Sequence, residues 1–141
     1  MVNVSSLNGI MAQSGLRAYC GTKFGVRGFT EVLRTELLTA KHPVGVTVVH
    51  PGGIKTNITA NAHVQNSSTL ADDQQSRRAE AYDEKLFKTT ADEAATRILD
   101  AVVRNRGRVL IAQATWVDRL VRAAPSLYPW VVARWERKTF S

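Results

Sequence analysis

Hydrophobic and polar positions change period several times along the chain, and each change marks an element. Val2-Asn3-Val4-Ser5-Ser6 has the β-prone profile of a strand end, and Leu7-Asn8-Gly9 follows as a turn. From about Arg17 to Ala40 the period becomes helical. Val26, Phe29, Val32, Leu33 and Leu37 form an apolar stripe that His42-Pro43 is expected to stop. Val44-Gly45-Val46-Thr47-Val48-Val49 is a second β-rich run, ending in His50-Pro51-Gly52-Gly53-Ile54-Lys55-Thr56. Thr90-Ala91-Asp92-Glu93 reads as a capping box. Behind it Ala94, Ala95, Ile98, Leu99, Val102 and Val103 make a helical stripe that Gly107 is expected to end, and Val109-Leu110-Ile111-Ala112 reads as a short buried strand.

Two stretches depart from this rhythm. From about Asn57 to Lys88 Asn, Gln, Ser and Asp predominate, and Leu70, Tyr82, Leu86 and Phe87 are the sizeable apolar groups after Val64. From Thr115 to Lys138 apolar residues alternate with arginine. Trp116, Val117, Leu120 and Val121 share a face with Arg119 and Arg122 beside them. Pro125 and Pro129 are expected to break the segment before Trp130, Val131, Val132 and Trp135. Strands alternating with helices make this an α/β chain.

At 141 residues with 44% hydrophobic content, the chain suits one ordinary domain with a core. A single cysteine, Cys20, excludes an internal disulfide and suits a reducing, cytoplasmic compartment; a small buried helix residue is its expected role. His42, His50 and His63 have no metal-ligand spacing, so no metal site is expected. No signal peptide or membrane-length apolar run is present. The net charge is +7, and from Arg97 to Ser141 nine Arg and Lys residues stand against three acids. No nucleic-acid motif accompanies that charge, so a solvated basic face is expected and no nucleic-acid partner. Tryptophan beside arginine in the tail leaves peripheral membrane contact open.

The candidate chemistry lies in Tyr19-Cys20-Gly21-Thr22-Lys23. Residues four apart on a helix share a face, about 6 Å apart along the axis. A free phenol titrates near pH ~10 and is a poor base at neutrality, but an ammonium within ~4–6 Å favours the phenolate. A tyrosine so placed can accept and donate a proton. The spacing alone also suits two surface residues of an amphipathic helix.

The order strand, serine, turn, Tyr-x-x-x-Lys helix, strand and Pro-Gly-x-x-x-Thr resembles the short-chain dehydrogenase/reductase family, specifically over Met1 to Ile58 and more loosely to about Ala112. The resemblance implies a partial Rossmann-like, doubly wound parallel sheet of about three strands with flanking helices. It implies hydride transfer between NAD or NADP and a carbonyl/alcohol substrate. Tyr19 matches the acid/base tyrosine. Lys23 matches the lysine that supports it and binds the nicotinamide ribose. Ser6 matches the serine that hydrogen-bonds the substrate oxygen, with Ser5 the weaker candidate. Pro51, Gly52, Ile54 and Thr56 match the segment that holds the nicotinamide carboxamide. Ser6 equally suits a turn cap, and Thr56 a helix N-cap. The family also implies a homo-oligomer through the Tyr19–Lys23 helix. Gly21, Gly25 and Gly28 lie on one face of that helix, so something is expected to pack closely there.

The implied division is a catalytic region over residues 1–112, with a substrate loop or lid over 55–88, and an amphipathic helical tail over 113–141. The family's glycine-rich turn after its first strand has no counterpart in this sequence, and neither do its Asn-Ala-Gly turn and catalytic asparagine. Met1 falls where the family is already inside its central strand, so the resemblance is to the C-terminal half of a dehydrogenase. Two other readings stand beside the enzyme: an inactive remnant or half-enzyme that works only with another chain, and a basic binding module built on Arg97–Lys138.

Overall fold

The computed structural model describes residues 1–56 and 88–140. Three parallel strands, β1 (Val2–Val4), β2 (Thr47–Pro51) and β5 (Arg108–Ile111), lie in the order β1-β2-β5. Their register pairs Val4 with Val49 and Pro51 with Ile111. Helix α1 (Arg17–Thr39) joins β1 to β2, and α2 (Ala91–Val103) precedes β5. Helices α3 (Ala114–Ala123) and α4 (Tyr128–Phe140) follow. The fold is therefore a parallel, Rossmann-like α/β arrangement, as expected. The expected excursion over residues 57–87 lies outside the described residues. Its two flanks meet: β3 (Ile54–Lys55) pairs in parallel with β4 (Thr89–Thr90), a short second sheet that the sequence pattern did not suggest.

Alternation along the strands gives each face of the sheet its own partner. Val49, Val109 and Ile111 pack on Ala94 and Ala101 of α2, with Ile54, Ile98 and Ala112 against them. On the other face Asn3 donates to Thr30 Oγ1 of α1 at 3.0 Å. The α1 stripe divides accordingly. Val26, Leu33 and Leu37 are partly buried, whereas Phe29 and Val32 are exposed. A Cβ added at Gly21, Gly25 or Gly28 would meet nothing within 4 Å among the described residues. The sheet is therefore not what these glycines approach.

Two helix ends differ from expectation in how they stop. After α1, Lys41 takes a left-handed conformation (φ 53°). His42 N then donates to Leu37 O at 2.8 Å and Lys41 N to Leu38 O at 3.1 Å. This is a Schellman closure, completed before Pro43 is reached. After α2, Asn105 (φ 49°) does the same, with Arg106 N on Ala101 O and Asn105 N on Val102 O. Gly107 therefore does not end α2; it gives Arg34 room, since a Cβ there would lie 2.6 Å from Arg34 Nε. Arg34 uses that space to donate to Val46 O at 2.6 Å and Asn105 O at 2.9 Å, tying α1 to both neighbouring loops. A left-handed lysine carries a steric cost that glycine lacks. Lys41→Gly is expected to stabilise the fold by about 0.5–1 kcal/mol, and Lys41→Ala not to, as read by urea unfolding.

The expected capping box is present, with Glu93 N on Thr90 Oγ1 at 3.2 Å and Thr90 N on Glu93 Oε2 at 3.0 Å. Pro129, expected as a breaker, is the second residue of α4, where a missing N–H costs no helical bond. The expected shared face of Trp116 and Val117 also splits. Ala114, Val117 and Asp118 are buried while Trp116 and Leu120 are exposed, because Asp118 turns inward to Arg108 of β5.

Candidate active site

Parallel strands bring their carboxyl ends to one side of the sheet, which is where open α/β folds place their sites. At the end of β1, Ser5 and Ser6 divide two tasks. Ser5 is buried, and its hydroxyl donates to Lys23 O at 2.8 Å, locking β1 to α1. Ser6 is extended and caps a short 3-10 turn, Leu7–Gly9, by accepting from Asn8 N at 3.1 Å. Its own hydroxyl proton is left to donate elsewhere. The geometry thus separates a structural serine from a presented one. Gly9 permits the arrangement: a Cβ there would overlap Ser5 Oγ and lie 2.8 Å from Lys23 O.

Tyr19 occupies the first turn of α1 with 45% of its surface exposed. Lys23 lies one turn on, its Nζ 5.6 Å from the centre of the Tyr19 ring. The same ammonium donates to Val4 O at 3.3 Å. One side chain therefore connects the tyrosine helix to the carboxyl end of β1, beside Ser6. Cys20 points the other way, buried, with Asn8 Nδ2 3.6 Å from its sulfur, in keeping with a packing role.

The segment after β2 is held from β5. Gly52 N donates to Ile111 O at 3.0 Å, and Gly53 N to Gln113 Oε1 at 2.8 Å. A Cβ on Gly52 would lie 3.0 Å from both Gln113 N and Ile111 O, so a side chain here would crowd the backbone at the end of β5. Pro51 and Gly52 are thus fixed at the carboxyl end of β2. Ile54 lies in β3 with its side chain against the α2 core, and Thr56 is exposed just beyond β3. Ser6, Tyr19 and Lys23 are brought together through β1 and α1, and Pro51 and Gly52 end the adjacent strand.

The sequence reading missed the connection between those two strand ends. His50, fully buried, places its Nδ1 2.9 Å from Ser6 O. Burial pushes this imidazole below the usual histidine range; the Ser6 carbonyl acts the other way, Arg108 and Arg27 add to the lowering, and Glu31 opposes it. The unfolded chain therefore binds a proton below about pH 6.5 that the folded chain refuses, so stability falls as pH drops below that point. His50→Asn is expected to flatten the loss between about pH 6.5 and 5 in thermal unfolding curves, and an unchanged slope would assign it to other groups. No signal local to the sequence marks His50, since its partner lies 44 residues away.

A parallel α/β sheet with a Tyr-x-x-x-Lys helix rising from its first strand end defines the class of chain to which this one is comparable. Residues 1–67 match the family model described as short chain dehydrogenase. The candidate oxidoreductase SadH of Mycobacterium tuberculosis strain H37Rv is 45% identical over 141 residues, covering 99% of this chain and 49% of that protein. The Drosophila melanogaster dehydrogenase/reductase SDR family protein 7-like is 29% identical over 93% of this chain and 38% of its own length. Among solved structures, a short chain dehydrogenase/reductase from Burkholderia phymatum in complex with NAD superposes with a TM-score of 0.65 at 25% identity, over 89% of this chain and 45% of that one. Over nearly all of its length the chain is thus similar to members of the short-chain dehydrogenase/reductase family. It spans about half or less of the length of these curated relatives.

Proposed function

We propose that this chain provides the catalytic half of an NAD(P)-dependent oxidoreductase that interconverts a carbonyl and an alcohol. The observation that carries the reading is Lys23, whose ammonium lies 3.3 Å from the carbonyl at the end of β1 and 5.6 Å from the Tyr19 ring. Tyr19 donates the proton to the substrate oxygen on reduction and accepts it on oxidation. Lys23, with its ammonium beside the Tyr19 ring, has further N–H groups for ribose hydroxyls. Ser6, with its Oγ already accepting from Asn8 N, donates to the substrate oxygen as negative charge develops there, a contribution on the order of ~3 kcal/mol.

The donor set fits a nicotinamide riboside end: an ammonium, an exposed phenol and the exposed Thr56 hydroxyl at the carboxyl side of a parallel sheet. When bound, the nicotinamide supplies or takes the hydride. Pro51, Gly52, Ile54 and Thr56 supply backbone and hydroxyl contacts for its carboxamide. The NAD complex of the Burkholderia phymatum relative supports a nicotinamide cofactor. Pairing of β3 with β4 brings Lys55 and Thr90 together beside this edge.

Self-association through α1 belongs to the same reading. Gly21, Gly25, Gly28, Phe29 and Val32 form one face with nothing against its glycines among the described residues, which suits close approach of a second helix. A second reading, a half-enzyme that acts only in association with another chain, is favoured by β1: its outer edge is unpaired among the described residues, and Val2 and Val4 are 38% and 52% exposed. For the tail, no described helix is long and apolar enough to cross a membrane. Exposed Trp116 and Trp130 beside basic residues still suit peripheral contact.

Titration of the purified chain with NADH and NADPH, followed by cofactor fluorescence, tests the proposal. Saturable binding that Lys23→Ala weakens is the expected result. A folded chain that binds neither cofactor would contradict independent cofactor binding and favour the half-enzyme.

A further inference from the structure

The proposed reaction uses Ser6, Tyr19 and Lys23, but not His50, the largest buried polar group beside them. His50 is the residue directly before the Pro51-Gly52 turn, fully buried between the sheet and α1. The main-chain ladder between β1 and β2 reaches as far as Ser5, whose N–H donates to Val49 O at 2.8 Å. One residue later the imidazole takes over, with Nδ1 2.9 Å from Ser6 O. A carbonyl oxygen can only accept, so Nδ1 carries the proton. Ser6 O also accepts from Gly9 N at 3.0 Å, which uses both of its lone pairs. The residue that presents the hydroxyl is thus fixed on its carbonyl side from β2 and on its hydroxyl side by Asn8.

The rest of the ring's surroundings set its charge state. Nε2 is buried with no hydrogen-bond partner among the described residues. The charged groups around the ring are Arg108 from β5 and Arg27 and Glu31 from α1. Arg27 is engaged by Glu31 at 3.0 Å, and Arg108 by Asp118 at 2.6 Å. A second proton on the ring would put a cation in a buried site near two guanidinium groups, with Glu31 alone opposing them. The neutral Nδ1–H tautomer avoids this cost and keeps the donor that Ser6 needs.

We propose that His50, as the neutral Nδ1–H imidazole, is a positioning residue that aims the Ser6 hydroxyl at the substrate oxygen by holding the Ser6 carbonyl. This rests on the oxidoreductase reading for what Ser6 does, but the His50–Ser6 bond has a readout of its own. Long-range proton–nitrogen NMR of the 141-residue chain, with His50→Asn for assignment, is expected to show the neutral Nδ1–H tautomer near pH ~7. The Nε2–H tautomer or an imidazolium at that pH overturns the proposal.

Kinetics distinguish positioning from packing. In the active enzyme, His50→Leu is expected to lower kcat on the order of tenfold with KM for the cofactor little changed. His50→Asn, whose Nδ2 can replace the Nδ1–H donor, should restore most of that rate. In a Ser6→Ala background His50→Leu should cost less than about twofold, because the hydroxyl it positions is gone. Equal losses in both backgrounds, or no rescue by Asn, reduce His50 to a part of the core and overturn the proposal. Failure of the oxidoreductase reading is seen separately, in a Tyr19→Phe variant that loses no turnover.

Discussion

Tyr19→Phe is expected to lower kcat by about 10²–10⁴-fold, the range for loss of a positioned acid/base group, while cofactor affinity stays within about twofold. The substitution removes one oxygen and keeps the ring. Lys23 Nζ, 5.6 Å from the ring centre, retains its aromatic neighbour, and its bond to Val4 O does not involve the phenol. The proton must then come from water, whose supply is not oriented. Because Tyr19 is 45% exposed, little stability is expected to change. Steady-state rates with cofactor titrated in parallel check this. Equal turnover in Tyr19→Phe removes the tyrosine from the chemistry, whatever the fold.

The largest stability effect is expected at Asp118. It is 7% exposed on α3 and accepts from Arg108 Nη2 at 2.6 Å and from Arg122 Nε at 3.0 Å. Asp118→Ala leaves the partly buried Arg108 without its partner, and Arg108 Nε already has none among the described residues. Breaking a buried pair from one side costs about 3–5 kcal/mol, and this one should fall near the lower figure because the Arg108 side chain is 20% exposed. Arg122→Ala should cost less than about 1 kcal/mol, since that side chain is 58% exposed. Burial pushes the Asp118 carboxyl up, but the Arg122 hydrogen bond and the Arg108 charge outweigh it and hold the group below the usual range. Its contribution is therefore present above the unfolded-state pKa and lost as pH falls through the lower folded value. Urea unfolding of both variants near neutral pH, and of the parent along an acid series, reads these effects. Equal, small losses in the two variants would show that the pair does not hold α3 to the sheet.

What could be read in the sequence was what local spacing determines. Tyr19 and Lys23 fall one turn apart because the helix period places them there, and α1 begins at Arg17 as expected. The Thr90–Glu93 box is also local, and it formed. Relations between distant residues were hidden. The resemblance favours Ser6 over Ser5, but the physical reason is contact of Ser5 with Lys23 O, 18 residues on, which makes Ser5 the anchor. The rotation of α3 was misread because an apolar pattern does not register that Asp118 would turn inward to Arg108. Strands β3 and β4 are two residues each, too short for a periodic signal, and are paired across a long excursion. The sequence pattern points to His42-Pro43 and Gly107 as the stops after α1 and α2, whereas left-handed Lys41 and Asn105 perform them, with His42 N closing the first.

Transfer of deuterium from reduced nicotinamide cofactor carrying deuterium at both C4 positions tests the central claim most directly. The protein is incubated with the deuterated, reduced cofactor and a panel of ketones and aldehydes, and the alcohol products are weighed by mass spectrometry. The account predicts one deuterium on the former carbonyl carbon and a solvent proton on the oxygen, with product formation suppressed in Tyr19→Phe. Alcohol formed without cofactor deuterium, or formed equally well by Tyr19→Phe, would contradict it.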